Sequence, residues 1–263
     1  NKVQVHRDEP VFDGQFSNQC YQDAVREAFR DFRQKSADDG RWDPNGGTVL
    51  TEDWSRIIMH LPYAFQAKRM FPAVFAYERS ASESWDDVES EIGLPPSLDN
   101  FDETSEGVIE HEKAMDVYRR AISKTRAYRE FHSERIEKGQ RASSLIGNQY
   151  TGSIFLAMMS TFESDYEGDS KIEDTLFGLC GYGSGAKAKV FEGLVDSRWR
   201  EVVSRWNMFE RMAGRMAIDQ LTYEELHKGT HEGSVVHPRG EFALVEVEEE
   251  GVREGARNYA WVE

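Results

Sequence analysis

Short apolar runs alternate with long stretches of helical periodicity along this chain, and that alternation limits the fold more than any other feature. Arg56–His60 (RIIMH), Thr175–Tyr182 (TLFGLCGY) and Ala186–Leu194 have the length and content of buried strands. Gly183-Ser184-Gly185 joins the last two as a turn. Before them, Tyr21, Val25, Phe29 and Phe32 recur at helical spacing, in a helix that Ser17 can cap and that runs to about Lys35. Ser36–Gly47 is dense in turn formers and reads as a loop, and Val3–Phe12 reads as extended. A helix is predicted from about Tyr63 to Arg69. The stretch Ser82–Gly139 is polar and helical; Met115, Tyr118, Ile122, Tyr128, Phe131 and Ile136 give one long helix an apolar stripe. Gly147–Phe162 starts small and polar and turns apolar, as a buried helix does. Phe209–Met216 and Tyr223–His227 read as helices, and the alternating Glu241–Val247 as a closing strand. The pattern predicts the α/β class, as one layered domain with a helical insertion at 82–139.

Composition narrows the partners. Across 263 residues, 48 Asp and Glu face 32 Lys and Arg, a balance of −16, and only ten of the 32 are Lys. Such a surface repels nucleic acid and anionic lipid, and it also suits a high-salt cytoplasm. No apolar run reaches the roughly 20 residues of a membrane span, and Asn1–Pro10 is too polar for a signal peptide. The start at Asn1 reads as a cleavage, a truncation or the edge of an ordered region. Cys20 and Cys180 form no CxxC pair and lie near no His cluster, so neither zinc nor a disulfide framework is expected and a reducing cytoplasm is.

Four local motifs can carry chemistry. His60-Leu61-Pro62-Tyr63 ends a strand, where open α/β sheets bind ligands, and Pro62 stops the ladder and forces a turn. A structural histidine is the plainer reading of His60 taken alone. In Gly147-Asn148-Gln149-Tyr150-Thr151, the Asn148 amide can fix a carbonyl or a water, or can simply cap a helix. Gly181-Tyr182-Gly183-Ser184-Gly185 lets backbone approach a ligand closely, and serves equally as a tight hairpin. It is neither a Walker loop nor a dinucleotide fingerprint. Lys68-Arg69 can hold phosphates at a cleft mouth or form an ordinary solvated face.

Taken together, these motifs are more specific. Asp13–Tyr21 (DGQFSNQCY), His60–Tyr63, Gly147–Thr151, Tyr182–Gly185 and Gly240–Val247 (GEFALVEV) resemble hydroxymethylglutaryl-CoA synthases in order and approximate separation. The resemblance covers essentially the whole chain and the later part of a family member. It implies the C-terminal half of a thiolase-like layered fold. It also implies the condensation of acetyl-CoA with acetoacetyl-CoA and water in the mevalonate route to isoprenoids. In that chemistry a cysteine carries the acetyl group, a glutamate exchanges a proton with its methyl, and a histidine polarises the acetoacetyl ketone. By motif match that histidine is His60. Asn148 and Ser184 match residues that hold the acetoacetyl chain; Tyr150, Tyr182, Pro62 and Tyr63 lie beside them in the substrate-binding set. Lys68 and Arg69 are then the candidates for the coenzyme's phosphates. The resemblance implies coenzyme A thioesters as substrates, with no cofactor and no metal, and a homodimer of the complete enzyme.

Two departures matter. Phe65 stands where family members often carry a lysine, five residues after the histidine. The cysteine and glutamate regions lie upstream in the family and are absent here, so an N-terminal half would have to supply them. Cys20 falls in a helix-forming motif and Cys180 in an apolar strand, and both read as structural. Two other readings compete: a polyketide β-branching synthase working on carrier-protein-bound acyl groups, and a scaffold domain of the same fold.

Overall fold

The computed structural model describes residues 13–43, 49–80, 82, 85–102, 104–183, 186–231 and 233–263. The extended stretch expected at Val3–Phe12 lies outside them. Two compact units divide the chain, the first ending at Phe209 and the second beginning at Glu210.

A three-stranded sheet organises the first unit, in the order β1 (Trp54–Met59), β2 (Leu176–Gly183), β3 (Lys187–Leu194). β1 and β2 run parallel and β2 and β3 antiparallel. Side chains alternate faces along a strand, so β2 has two distinct sides. Phe177 meets Phe162 of α7 (Ser153–Glu167) at 5.0 Å between rings, and a Cβ at Gly181 would touch Ile154 of the same helix. On the other side, Tyr182 meets Tyr21 of α1 (Gly14–Asp38) at 4.6 Å. The sheet is therefore sandwiched between α1 and α7. A Cβ at Gly178 would overlap the Trp54 indole, and that indole in turn packs on Phe29 and Phe32 of α1 at 5.9 and 5.7 Å. A glycine inside a strand is explained here by the close approach of a large ring.

α2 (Gln66–Arg79) follows β1, and α3 (Trp85–Ile92), α4 (Ser105–Ile122), α5 (Arg126–Arg135) and α6 (Glu137–Ile146) fill the segment leading to α7. Phe71, Phe75, Tyr128 and Phe131 form a second aromatic cluster, with Phe71 stacked on Phe131 at 5.5 Å. Asp165, fully buried on α7, binds the Arg56 guanidinium of β1 with both carboxylate oxygens, at 2.6 and 2.9 Å, and also the Lys138 ammonium of α6. Short α8 (Trp199–Val203) and the start of α9 (Met208–Ala213) complete the unit.

Several expected boundaries move. α1 begins before Ser17 because Asp13 caps it, accepting a hydrogen bond from the Phe16 amide at 3.1 Å. The single long helix expected through Ile136 is broken. Thr125 donates to the Ile122 carbonyl at 2.8 Å and caps α5 by accepting from the Tyr128 amide at 3.3 Å, so the apolar stripe is shared by α4 and α5. α2 starts at Gln66, past the turn that Pro62 enforces, and continues well beyond Arg69. α7 starts at Ser153, not at Gly147, because Gly147 ends α6 at φ 78° and Tyr150 sits in left-handed backbone at φ 49°.

The second unit holds α10 (Gln220–Lys228), capped by Asp219 and ended by Gly229, and a hairpin of β4 (Glu241–Val247) and β5 (Arg257–Val262). The strand expected at Glu241–Val247 is β4. It belongs to this unit and pairs with β5, which the sequence reading did not anticipate.

Candidate functional site

His60 is the first residue beyond β1. Met59 pairs in register with Cys180, and the ladder continues one step further, the His60 amide donating to the Cys180 carbonyl at 2.9 Å. Pro62 then turns the chain, and the Tyr63 carbonyl accepts from the Gln66 amide at 3.0 Å as α2 begins. The histidine is only 8% exposed, and this burial lowers its pKa below the ordinary value, so the imidazole is neutral near pH 7. A neutral imidazole donates from one nitrogen and accepts at the other. Among the described residues, no hydrogen bond occupies either ring nitrogen.

Tyrosines surround this histidine. The Tyr182 ring lies 6.2 Å from the His60 ring, centroid to centroid. Burial raises the Tyr182 pKa, with Cys20 adding to it, and the hydroxyl stays protonated. Tyr21, 2% exposed, donates its hydroxyl to the His60 carbonyl at 2.9 Å. Its own pKa is raised well above the usual value, by burial first and then by Cys180, Tyr182 and Tyr63 nearby. Sequence reasoning placed Tyr21 in a helical core stripe and at the end of the Asp13–Tyr21 motif, with no role at the site; nothing local could reveal that its hydroxyl reaches a residue 39 positions away.

The remaining candidates are placed unequally. Asn148 and Tyr150 are both exposed, Tyr150 at 80%. Asn148 Oδ1 accepts from the Tyr150 amide at 2.7 Å and from the Ser153 hydroxyl at 3.0 Å, and Ser153 Oγ accepts from the Gln149 amide. The Asn148 carbonyl oxygen thus closes the turn leading into α7, and its amide NH2 is the part suited to a ligand. Neither residue bonds or stacks with His60 among the described residues. The two lie at the same end of the sheet nonetheless, since Ile154, next to Ser153, packs on Gly181 beside Tyr182. A bulge between Trp54 and Arg56 sets the facing of β1, and Arg56 points to α7. Ser184 and Gly185 lie outside the described residues.

The two cations have different surroundings. Arg69 Nη1 donates to the Tyr63 hydroxyl at 3.4 Å, a long contact. Lys68 lines a cavity of about 490 Å³, with Phe65 beside it and His132, Gln140 and Ser164 further along its wall. Gln140 Oε1 and Ser164 Oγ are buried there and lack a hydrogen-bond partner among the described residues. Burial lowers the His132 pKa, Glu137 and the bond to Gln140 opposing it and Lys68 adding to it. Cys180 is fully buried and burial pushes its thiol far up, so it is no thiolate. Among the described residues no group of three or more His, Cys, Asp or Glu side chains is placed to hold a metal, and no helix is long and apolar enough to cross a membrane.

Residues 2–242 match the family described as hydroxymethylglutaryl-coenzyme A synthase C terminal. The chain belongs to that family. Among relatives of this synthase family, the hydroxymethylglutaryl-CoA synthase of Haloferax volcanii is 27% identical over 218 residues, which are 83% of this chain and 46% of the relative. The Saccharomyces cerevisiae synthase is 22% identical over 240 residues, 88% of this chain and 45% of the relative. Among solved structures, MvaS in complex with 3-hydroxy-3-methylglutaryl coenzyme A superposes with a TM-score of 0.65 at 24% identity, over 99% of this chain and 54% of that one. The curacin pathway HMG synthase gives 0.61 at 15% identity over the same shares. The fold is the thiolase-like one of these synthases, and the chain spans about half the length of the relatives it matches.

Proposed function

We propose that this chain is the acetoacetyl-binding half of a hydroxymethylglutaryl-CoA synthase, completed by an N-terminal half that carries the acetylated cysteine and its glutamate. The supporting observation is His60: a buried, neutral imidazole at the end of a parallel strand pair, walled by Tyr182, in a chain of this family. In the proposed reaction the acetyl carbon attacks the acetoacetyl ketone, and negative charge grows on the ketone oxygen. An imidazole N–H aimed there stabilises that charge. Asn148 offers its amide NH2 to the acetoacetyl chain, Ser184 joins it, and Tyr150, Tyr182, Pro62 and Tyr63 shape the cleft. Lys68 and Arg69 meet the coenzyme's phosphates, Lys68 from the cavity that Ser164 also lines with a hydroxyl able to donate to a phosphate oxygen. Water then releases the product from the upstream cysteine. The enzyme works as a cytoplasmic homodimer on coenzyme A thioesters, in the mevalonate pathway. The −16 balance disfavours docking of an acidic carrier protein, which supports coenzyme A over carrier-bound acyl groups.

The test is thiol release from acetyl-CoA in the presence of acetoacetyl-CoA. The complete enzyme turns over and the 263-residue chain alone does not. His60→Ala in the complete enzyme lowers condensation on the order of 100-fold or more, while acetylation of the upstream cysteine survives. Near-normal condensation by that variant refutes the role of His60. Turnover only with carrier-bound substrates transfers the assignment to the polyketide branch.

A further inference from the structure

We infer that Tyr21 is the positioning residue for His60: its hydroxyl fixes the histidine's main-chain carbonyl, and its ring holds Tyr182 against the imidazole. The inference rests on the role proposed above for His60 and assigns no chemistry to Tyr21 itself.

The geometry carries it. His60 stands past the last strand residue, where the last ladder bond holds its amide and leaves its carbonyl without a strand partner. Its amide is held on one side by the Cys180 carbonyl at 2.9 Å. Its carbonyl is held on the other by the Tyr21 hydroxyl, also at 2.9 Å. These two bonds come from different elements, β2 and α1, and together they fix both peptide planes around the histidine. A free carbonyl at that buried position would rotate to find a partner, and the imidazole would turn with it. The Tyr21 ring lies 4.6 Å from Tyr182, and Tyr182 lies 6.2 Å from His60. α1 therefore reaches the histidine by two routes, through the main chain and through a neighbouring ring. Tyr21 is itself immobilised, at 2% exposure, among Val25, Leu61 and the rest of the core. A residue serving only to fill space at this position would need the ring and not the hydroxyl.

Tyr21→Phe in the complete enzyme isolates the hydroxyl, since the ring and its packing are kept. Tyr118→Phe is the matched control: that tyrosine is also buried and donates to a main-chain carbonyl, that of Gly93, at 3.1 Å in the α3–α4 region. Both variants should melt slightly below the parent. Only Tyr21→Phe should lose condensation, with kcat falling about 10- to 100-fold, the effect of a misplaced reacting group. Its KM for acetoacetyl-CoA should stay within about threefold, because the coenzyme carries most of the binding, and acetylation of the upstream cysteine should be unchanged. A Tyr21→Phe enzyme with parental kcat, alongside an inactive His60→Ala, overturns the inference and leaves the site assignment standing. An equal loss of kcat in Tyr118→Phe overturns it too, by showing that any lost buried hydroxyl has this effect. If the unsubstituted complete enzyme does not condense, the reading of His60 falls and takes this inference with it.

Discussion

Replacing Asp165 with Asn tests how the sheet is tied to its helices. The substitution keeps the shape and removes the charge that faces Arg56 and Lys138. Asp165 is fully buried and the Arg56 side chain is 14% exposed, so neither can turn to water without moving backbone. Removing one partner of such a pair costs about 3–5 kcal/mol, because a buried charge is left uncompensated. Lys138 is 30% exposed and can swing outward, so the lower end, about 3 kcal/mol, is expected. For a unit of this size that is a fall in Tm of roughly 6–12 °C. Urea unfolding should show the same loss at unchanged m. Acid provides a second check. Burial pushes the Asp165 carboxyl up, but the bonds from Arg56 and Lys138 and the Arg56 charge outweigh it and hold its pKa below the usual value. A carboxylate lowered in the fold stabilises it above the unfolded pKa, about 3.9, and that stability is lost as pH falls through the folded value. The gap between parent and Asp165→Asn should therefore be constant from pH 7 to about 4 and close below it. Pairing the change with Arg56→Met should cost less than the two single losses added together. A loss below about 1 kcal/mol, the size of a surface pair, or strict additivity would refute the reasoning.

Two further outcomes follow from the same structure. Gly178→Ala should destabilise the first unit by about 2–3 kcal/mol or leave it unfolded, since the new methyl meets the rigid Trp54 ring; circular dichroism melts check this, and a parental Tm would contradict the packing. Tm should rise with KCl, because a −16 chain repels itself and the screening length shrinks from about 30 Å at 0.01 M to about 3 Å at 1 M; a rise continuing into molar salt marks adaptation to a saline cytoplasm, and a flat profile removes the high-salt reading.

The legible parts of this chain were those written in local pattern. Residues 175–182 and 186–194 announced strands, and Tyr21, Val25, Phe29 and Phe32 announced one face of α1. His60 and Pro62 marked a strand end and a turn, and the structure has both. Termini and breaks were less legible, because a single side chain decides them: Asp13 where Ser17 was the apparent cap, and Thr125 where one helix was read through. The only trace of that break in the apolar pattern is the step of six from Ile122 to Tyr128, which departs from the helical spacing of three or four. In the candidate site, the motif residues were nameable from sequence, but what holds them was not. The Tyr21 hydroxyl on His60 and the bidentate grip of Asp165 on Arg56 join positions 39 and 109 apart, and no local rule ties such pairs. β5 was missed because its partner strand looked like a natural end.

The parallel pairing of β1 with β2 also sets an order of events. Ser55 and Leu176 are bonded neighbours 121 positions apart, with the six helices α2 to α7 between. Closing a loop of that length costs about 4 kcal/mol in chain entropy before any contact repays it. During synthesis β1 emerges long before β2, so its Ile57 and Ile58 must wait against helices made in the interval. The His60 amide has no acceptor until Cys180 arrives. The candidate centre is thus among the last features of this unit to form, and a chain released before residue 176 carries the histidine motif without the strand that gives it a place.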